Sequence, residues 1–186
     1  MKQIPNSLTV VRIGLTVALL WLYPLGNPFF VVYLVAGLTD MIDGPLARRL
    51  GAVSRFGAKL DSAADTLFVF VVLVRLWPYL VLPPAAVLLI VGIALLRVGA
   101  GIVAKLRFGA FGFLHTWGNK LTGALLFLYP LVLRWPVAIG ILWAAGVVAL
   151  LSAVEELTIE LTAPAWQPDR PGYFFQLPEK QEKDIK

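Results

Sequence analysis

The chain contains no cysteine and a single histidine, His115, among its 186 residues. Disulfides and thiolate chemistry are therefore excluded, and a zinc or copper centre has almost no ligand to draw on. Charge is scarce as well: 15% of residues are charged, where a soluble domain carries about a quarter. Acid is scarcer still. Between Met1 and Val154 there are four acidic residues, Asp40, Asp43, Asp61 and Asp65. All of them fall in one window, "LTDMIDGPLARRLGAVSRFGAKLDSAADTLF", residues 38–68.

What fills the rest is apolar. Hydrophobic residues make up 59% of the chain, in long runs that recur from end to end. That pattern predicts an all-α polytopic membrane protein with six transmembrane helices, at ~20 residues per span. The runs predict spans over 8–23, from 29 past Asp40, over 56–78, 84–106, 119–133 and 137–161. Pro5-Asn6-Ser7 signals the first helix start, and Pro83-Pro84 the fourth. The N-terminus does not read as a cleaved leader, because Arg12 interrupts its apolar run and "WLYPLG" offers no small-residue cleavage site. Residues 1–162 form the membrane domain in this reading. Residues 163–186, rich in proline and charge, form a polar tail that is loose or lies on the surface.

Cations test the topology. Lys2, Arg48, Arg49, Arg55, Lys59, Lys105, Arg107, Lys120 and the tail cations fall on one side, against Arg75 and Arg134 on the other. The positive-inside bias places both termini in the cytoplasm. The formal net charge of +5 fits this loop bias and anionic small-molecule partners, with no nucleic acid implied. Trp21, Tyr23, Trp77, Tyr79, Trp117, Tyr129 and Trp135 sit near expected helix ends, as interfacial anchors do.

A carboxylate at membrane depth costs about 2.5–3.5 kcal/mol on insertion scales. Four persist together when a cation neutralises them or when they face a wet cavity. Asp40 and Asp43 are three apart and share a face of helix 2; Asp61 and Asp65 are four apart and share a face of helix 3. A short loop lets the two faces meet. The ligand set is hard oxygen, which suits Mg²⁺, Mn²⁺ or Ca²⁺. Four carboxylates can hold two such ions, an arrangement suited to phosphate chemistry. Gly44, Ala47 and Gly57 beside the acids allow close approach of a helix or ligand, and Arg48 is placed to pair with phosphate or with the acids. The competing reading is structural: ion pairs with Arg48, Arg49, Arg55 and Lys59.

The window reads Asp40-x-x-Asp43-Gly44-x-x-Ala47-Arg48, then eight residues, Gly57, three, Asp61, three, Asp65. In residue type and spacing it resembles the signature of the CDP-alcohol phosphatidyltransferase family, and the six spans resemble that family's fold. The resemblance implies transfer of a phosphatidyl group from CDP-diacylglycerol, or a related CDP-alcohol, to a small polar alcohol with release of CMP. It implies that Asp40, Asp43, Asp61 and Asp65 bind Mg²⁺ or Mn²⁺, as two ions, and that Asp65 is the catalytic base. It implies a nucleotide site lined by Asp40, Asp43, Gly44, Ala47, Arg48, Gly57 and Asp61. It also implies a homodimer in the cytoplasmic membrane, with the active site facing the cytoplasm.

The acceptor is less legible. Arg97 lies within an apolar helix; with Lys105, Arg107 and Lys120 it is a candidate site for a phosphorylated acceptor such as glycerol 3-phosphate or inositol phosphate. Snorkelling and loop bias also account for Lys105 and Arg107. The opening "IPNSLTVVR" resembles the first helix of phosphatidylglycerophosphate synthases within the family, matching at Asn6, Thr9 and Arg12. A helix-4 Arg-Glu pair associated with many of those synthases is absent, since Val98 follows Arg97. The best reading is glycerol 3-phosphate; inositol phosphate, serine or another alcohol is the alternative. Two rivals stand beside it: a Mg-dependent intramembrane prenyltransferase, and a cation channel or transporter with an acidic site.

Overall fold

A computed structural model of the protein describes residues 4–49, 55–109, 114, 116–166 and 170–173, with side chains for those outside 4–6, 40–49, 55–56 and 58–59. The described residues form six α-helices and no strand: α1 (Ile4–Ala18), α2 (Asn27–Arg49), α3 (Arg55–Leu76), α4 (Pro84–Phe108), α5 (Trp117–Val132) and α6 (Val137–Thr162). A short 3₁₀ turn, Trp77–Tyr79, follows α3. The chain divides into two units, Met1–Leu80 and Val81–Lys186.

In the first unit α1 packs against both α2 and α3. Its inward face is Thr9, Arg12 and Thr16, continued by Leu19 just past the helix end, spaced three and four apart as one helix stripe requires. Phe29, Tyr33 and Ala36 form the inward stripe of α2. Tyr33 stacks on Phe68 of α3 with ring centroids 5.4 Å apart. Arg75 Nη2 donates to the Leu22 carbonyl at 2.6 Å and ties the end of α3 to the turn after α1. The apolar run predicted helix 1 to reach residue 23, but the α-helix stops at Ala18. The amides of Leu20 and Trp21 bond the carbonyls three residues back, Val17 and Ala18. The ladder tightens ahead of Pro24, which cannot donate to a continuing helix.

In the second unit α6 packs against both α4 and α5. Small residues permit this. Ala100 and Ala104 of α4 and Ala145 and Ala153 of α6 are buried. A Cβ on Gly118 would stand 2.8 Å from Ser152 Oγ and 2.9 Å from Ser152 Cβ, so the α5–α6 approach depends on glycine there. Gly109 ends α4 at φ 67°, the left-handed conformation open to glycine, and its N–H donates to the Lys105 carbonyl.

Of the tail, residues 163–166 and 170–173 lie against this unit rather than hanging loose. Ala163 and Trp166 pack with Leu114, Ile159 and Phe108. Trp117 N–H donates to the Pro171 carbonyl at 2.9 Å, and Tyr173 N–H to Glu155 Oε1 at 2.9 Å.

Helices α4 and α6, of 25 and 26 residues, are long and apolar enough to cross a membrane, while Ser7–Ala18 and Asn27–Thr39 are shorter apolar helices. The outward faces of α4 and α6 expose Leu88, Leu95, Ile102, Leu106, Val147 and Leu151. A surface this apolar is a liability in water and is at home against lipid. Trp21, Tyr23, Trp77, Trp117 and Trp135 stand exposed at or beyond helix ends, in keeping with interfacial anchoring.

Candidate active site

Asp61 and Asp65 lie one turn apart on α3 and both accept from Arg12 of α1. Arg12 Nη1 reaches Asp65 Oδ1 at 2.7 Å, and Nη2 donates to Asp61 Oδ1. The arginine side chain is 1% exposed, whereas the two carboxylates are 40% and 49% exposed. The base of the pair is thus sealed by a cation and its other side is open. Thr16, one turn along α1, donates its hydroxyl to the Arg12 carbonyl at 2.8 Å.

On their exposed side Asp61 and Asp65 offer carboxylate oxygens, a donor type that fits a hard divalent cation. Among the described residues no three His, Asp or Glu side chains form a metal cluster. Asp40, Asp43, Gly44, Ala47 and Arg48 occupy the last turns of α2, but their side chains lie outside the described part of the structure. Gly57, half-buried, precedes Asp61 by one turn of α3. The competing reading in terms of Arg48, Arg49, Arg55 and Lys59 also falls on side chains outside that part. The ion pair the structure does show joins the acids to Arg12.

The second unit carries a separate polar network. Arg97 Nη1 donates to Glu156 Oε2 at 3.2 Å, and Nη2 to Asn119 Oδ1 at 2.6 Å. Glu156 Oε1 accepts from the Leu114 N–H at 2.9 Å, and Asn119 Nδ2 donates to the Leu114 carbonyl at 2.6 Å. Ser152 Oγ adds a bond to Asn119 Oδ1 at 2.8 Å. The bonds close a ring through α4, the segment before α5, α5 and α6. Arg97, the acceptor-site candidate with Val98 rather than Glu beside it, is a paired cation. Its acid is Glu156, 1% exposed, supplied by α6 rather than by a neighbour on α4.

Arg97 and Asn119 stand at the polar part of a cavity of about 520 Å³ otherwise lined by residues such as Leu89, Ile93, Leu126 and Trp143. Lys105, Arg107 and Lys120, the other acceptor candidates, do not line it. Lys105 Nζ lies 3.4 Å from the Gly109 carbonyl and Arg107 Nη1 donates to the Glu160 carbonyl at 2.7 Å. Lys120 Nζ sits 5.0 Å from the centroid of the Trp117 ring.

Sequence reasoning passed over Glu156, Asn119 and the pairing of Arg12. A signal for Glu156 was available. Val137–Thr162 is an apolar helix, so an acid inside it demands a partner as strongly as Arg97 does in α4.

The family model described as CDP-alcohol phosphatidyltransferase matches residues 2–158. A Pseudomonas fluorescens protein named CDP-diacylglycerol–glycerol-3-phosphate 3-phosphatidyltransferase is 34% identical over 165 residues, which are 81% of this chain and 82% of that protein. A Bacillus subtilis protein of the same name is 30% identical over 135 residues, 67% of this chain and 69% of that one. A Corynebacterium glutamicum phosphatidylinositol phosphate synthase is 41% identical, but over 36% of this chain and 32% of its own length. No solved structure matches the chain. The acid signature, the all-helical architecture of the described residues and the family match over residues 2–158 agree: this chain is an enzyme of the CDP-alcohol phosphatidyltransferase family.

Proposed function

We propose that the enzyme transfers the phosphatidyl group of CDP-diacylglycerol to glycerol 3-phosphate and releases CMP. The observation that carries this reading is the Asp61–Asp65 pair, presented on one face of α3 with one side open, inside the family's acid signature. The acceptor follows the relatives. Those named for glycerol 3-phosphate align over most of their length, while the inositol phosphate relative aligns over a third of its own. The prenyltransferase and channel readings fall away with the family assignment.

The reaction is displacement at phosphorus. The acceptor hydroxyl oxygen forms a bond to the phosphatidyl phosphorus, the bond to the CMP oxygen breaks, and the hydroxyl proton must leave. Asp65 is the group proposed to take that proton, by general-base help. Asp40, Asp43, Asp61 and Asp65 would hold Mg²⁺ or Mn²⁺, as two ions, and such ions offset charge on the diphosphate and on departing CMP. Gly44, Ala47 and Gly57 leave room for the nucleotide, and Arg48 offers it a cation. Arg97 is the acceptor-site cation of this reading. Lys105, Arg107 and Lys120 remain its further acceptor candidates, although they lie outside the cavity that Arg97 lines.

In this reading the six helices all span the cytoplasmic membrane, both termini and the acid site face the cytoplasm, and two copies associate. The cation asymmetry of the loops supports the orientation. The test is direct. Purified protein receives CDP-diacylglycerol, Mg²⁺ and a panel of glycerol 3-phosphate, inositol phosphate, serine and phosphatidylglycerol, and CMP release is measured. Turnover with glycerol 3-phosphate is expected. Turnover with another alcohol alone would reassign the acceptor, and no CMP with any would overturn the reading.

A further inference from the structure

Trp117 opens α5, and the first N–H groups of a helix have no carbonyl within it to bond. The Thr116 hydroxyl accepts from the Asn119 N–H at 3.3 Å. The Trp117 N–H goes outside the helix, to the Pro171 carbonyl at 2.9 Å. A residue of the C-terminal segment therefore closes the first turn of α5. That same turn carries Asn119, whose Oδ1 accepts from Arg97. The segment is fastened elsewhere too. Ala163 belongs to a buried cluster with Leu114 and Ile159, and Trp166 packs on that cluster beside Phe108, the two rings 6.1 Å apart. Buried Arg170 shapes the turn that presents Pro171. It donates from Nε to the Gly172 carbonyl at 3.1 Å and from Nη2 to the Tyr173 carbonyl at 2.7 Å.

Leu114 links these fastenings to Arg97. Its side chain lies in the cluster that Trp166 covers, its N–H donates to Glu156, and its carbonyl accepts from Asn119. Glu156 and Asn119 both accept from the Arg97 guanidinium. A long side chain held at both nitrogens gives up rotamer freedom, and what holds its partners decides where it points. We infer that residues 163–166 and 170–173, which lie beyond the residues 2–158 of the family match, act as a strap that positions Arg97 for the acceptor. Trp166 and Arg170 are positioning residues; they act through Leu114 and the first turn of α5. The inference rests on the reading of Arg97 as the acceptor-site cation, and names what keeps that cation in place.

Steady-state kinetics of the full-length protein in detergent test it, with CDP-diacylglycerol and glycerol 3-phosphate varied in turn. A misplacement of about 1 Å in a binding group can cost as much as ~10²-fold. Trp166→Ala and Arg170→Ala should each raise the KM for glycerol 3-phosphate on the order of tenfold and leave the KM for CDP-diacylglycerol unchanged. Trp166→Phe keeps a ring on the Leu114 cluster and should restore most of the acceptor KM. A merely structural role moves a different quantity, since a fraction of unfolded protein lowers kcat and leaves both KM values alone. Should Trp166→Ala fail to fold, Arg170→Ala decides the matter. Arg97→Lys separates the inference from the reading beneath it. With the acceptor KM raised in Arg97→Lys, an unchanged acceptor KM in the strap variants, or a parallel rise in both KM values, would overturn the strap and leave the acceptor reading standing. An unchanged acceptor KM in Arg97→Lys would sink the acceptor reading and the strap with it.

Discussion

Two buried or half-buried arginines, Arg12 and Arg97, each reach acids on another helix of their own unit. They differ in what they leave over. Arg12 bridges two carboxylates that stay partly exposed, as a metal site needs. Arg97 faces one carboxylate, Glu156, and an amide oxygen, so its network is electrically balanced. Replacing Asp65 with Asn should lower CMP release by about 10²–10⁴-fold if Asp65 is the base. Turnover near the wild-type rate in that variant would remove Asp65 from the chemistry. Glu156→Ala strands the Arg97 charge and the Leu114 N–H together. It should destabilise the protein by about 3–5 kcal/mol, read as a large fall in the melting temperature in detergent. Glu156→Gln keeps an acceptor for the Leu114 amide and should fall less.

At the scale of helices, the second unit offers a graded series of glycines. Gly118→Ala would drive a Cβ against Ser152 Oγ and Cβ, which a rotamer change does not clear. A loss of about 1–3 kcal/mol is expected from this overpacking. Gly146→Ala meets the Cδ2 of Leu89 at 2.7 Å, the far end of a flexible side chain, and should cost less. Gly123→Ala meets nothing within 4 Å and should be neutral or stabilising. Melting temperatures in one detergent rank the three, and a different order would mean α5 and α6 do not approach at Gly118 as described. Helix existence and spacing were readable from the apolar runs, because long period-free apolar stretches have few other solutions. The end of α1 was not, since Leu19, Leu20 and Trp21 are as apolar as the helix before them. What stops the helix is a backbone hydrogen-bond shift, and composition does not record that. The Asp61–Asp65 juxtaposition was legible from a spacing of four, whereas Arg12 and Glu156 needed the third dimension, being 49 and 59 residues from their partners.

For the whole molecule, the lack of cysteine becomes an asset: single cysteines can be introduced with no background to remove. Cysteines placed near residue 2 and near residue 186 should react with an impermeant maleimide in inside-out vesicles and not in intact cells. The opposite pattern would invert the orientation. Chelation should tell the same story from the side of chemistry. EDTA should abolish CMP release, and Mg²⁺ or Mn²⁺ should restore it; activity that survives exhaustive chelation would be incompatible with an acid-bound metal.

The hydrogen-bond ring of the second unit also makes its own spectroscopic reporter. The Leu114 N–H is buried and points at the carboxylate that orients Arg97. Its exchange with deuterated solvent therefore reads the state of that carboxylate from the backbone, with no label attached. A ligand that pulled Arg97 away from Glu156 would register as a change in a single amide isotope clock.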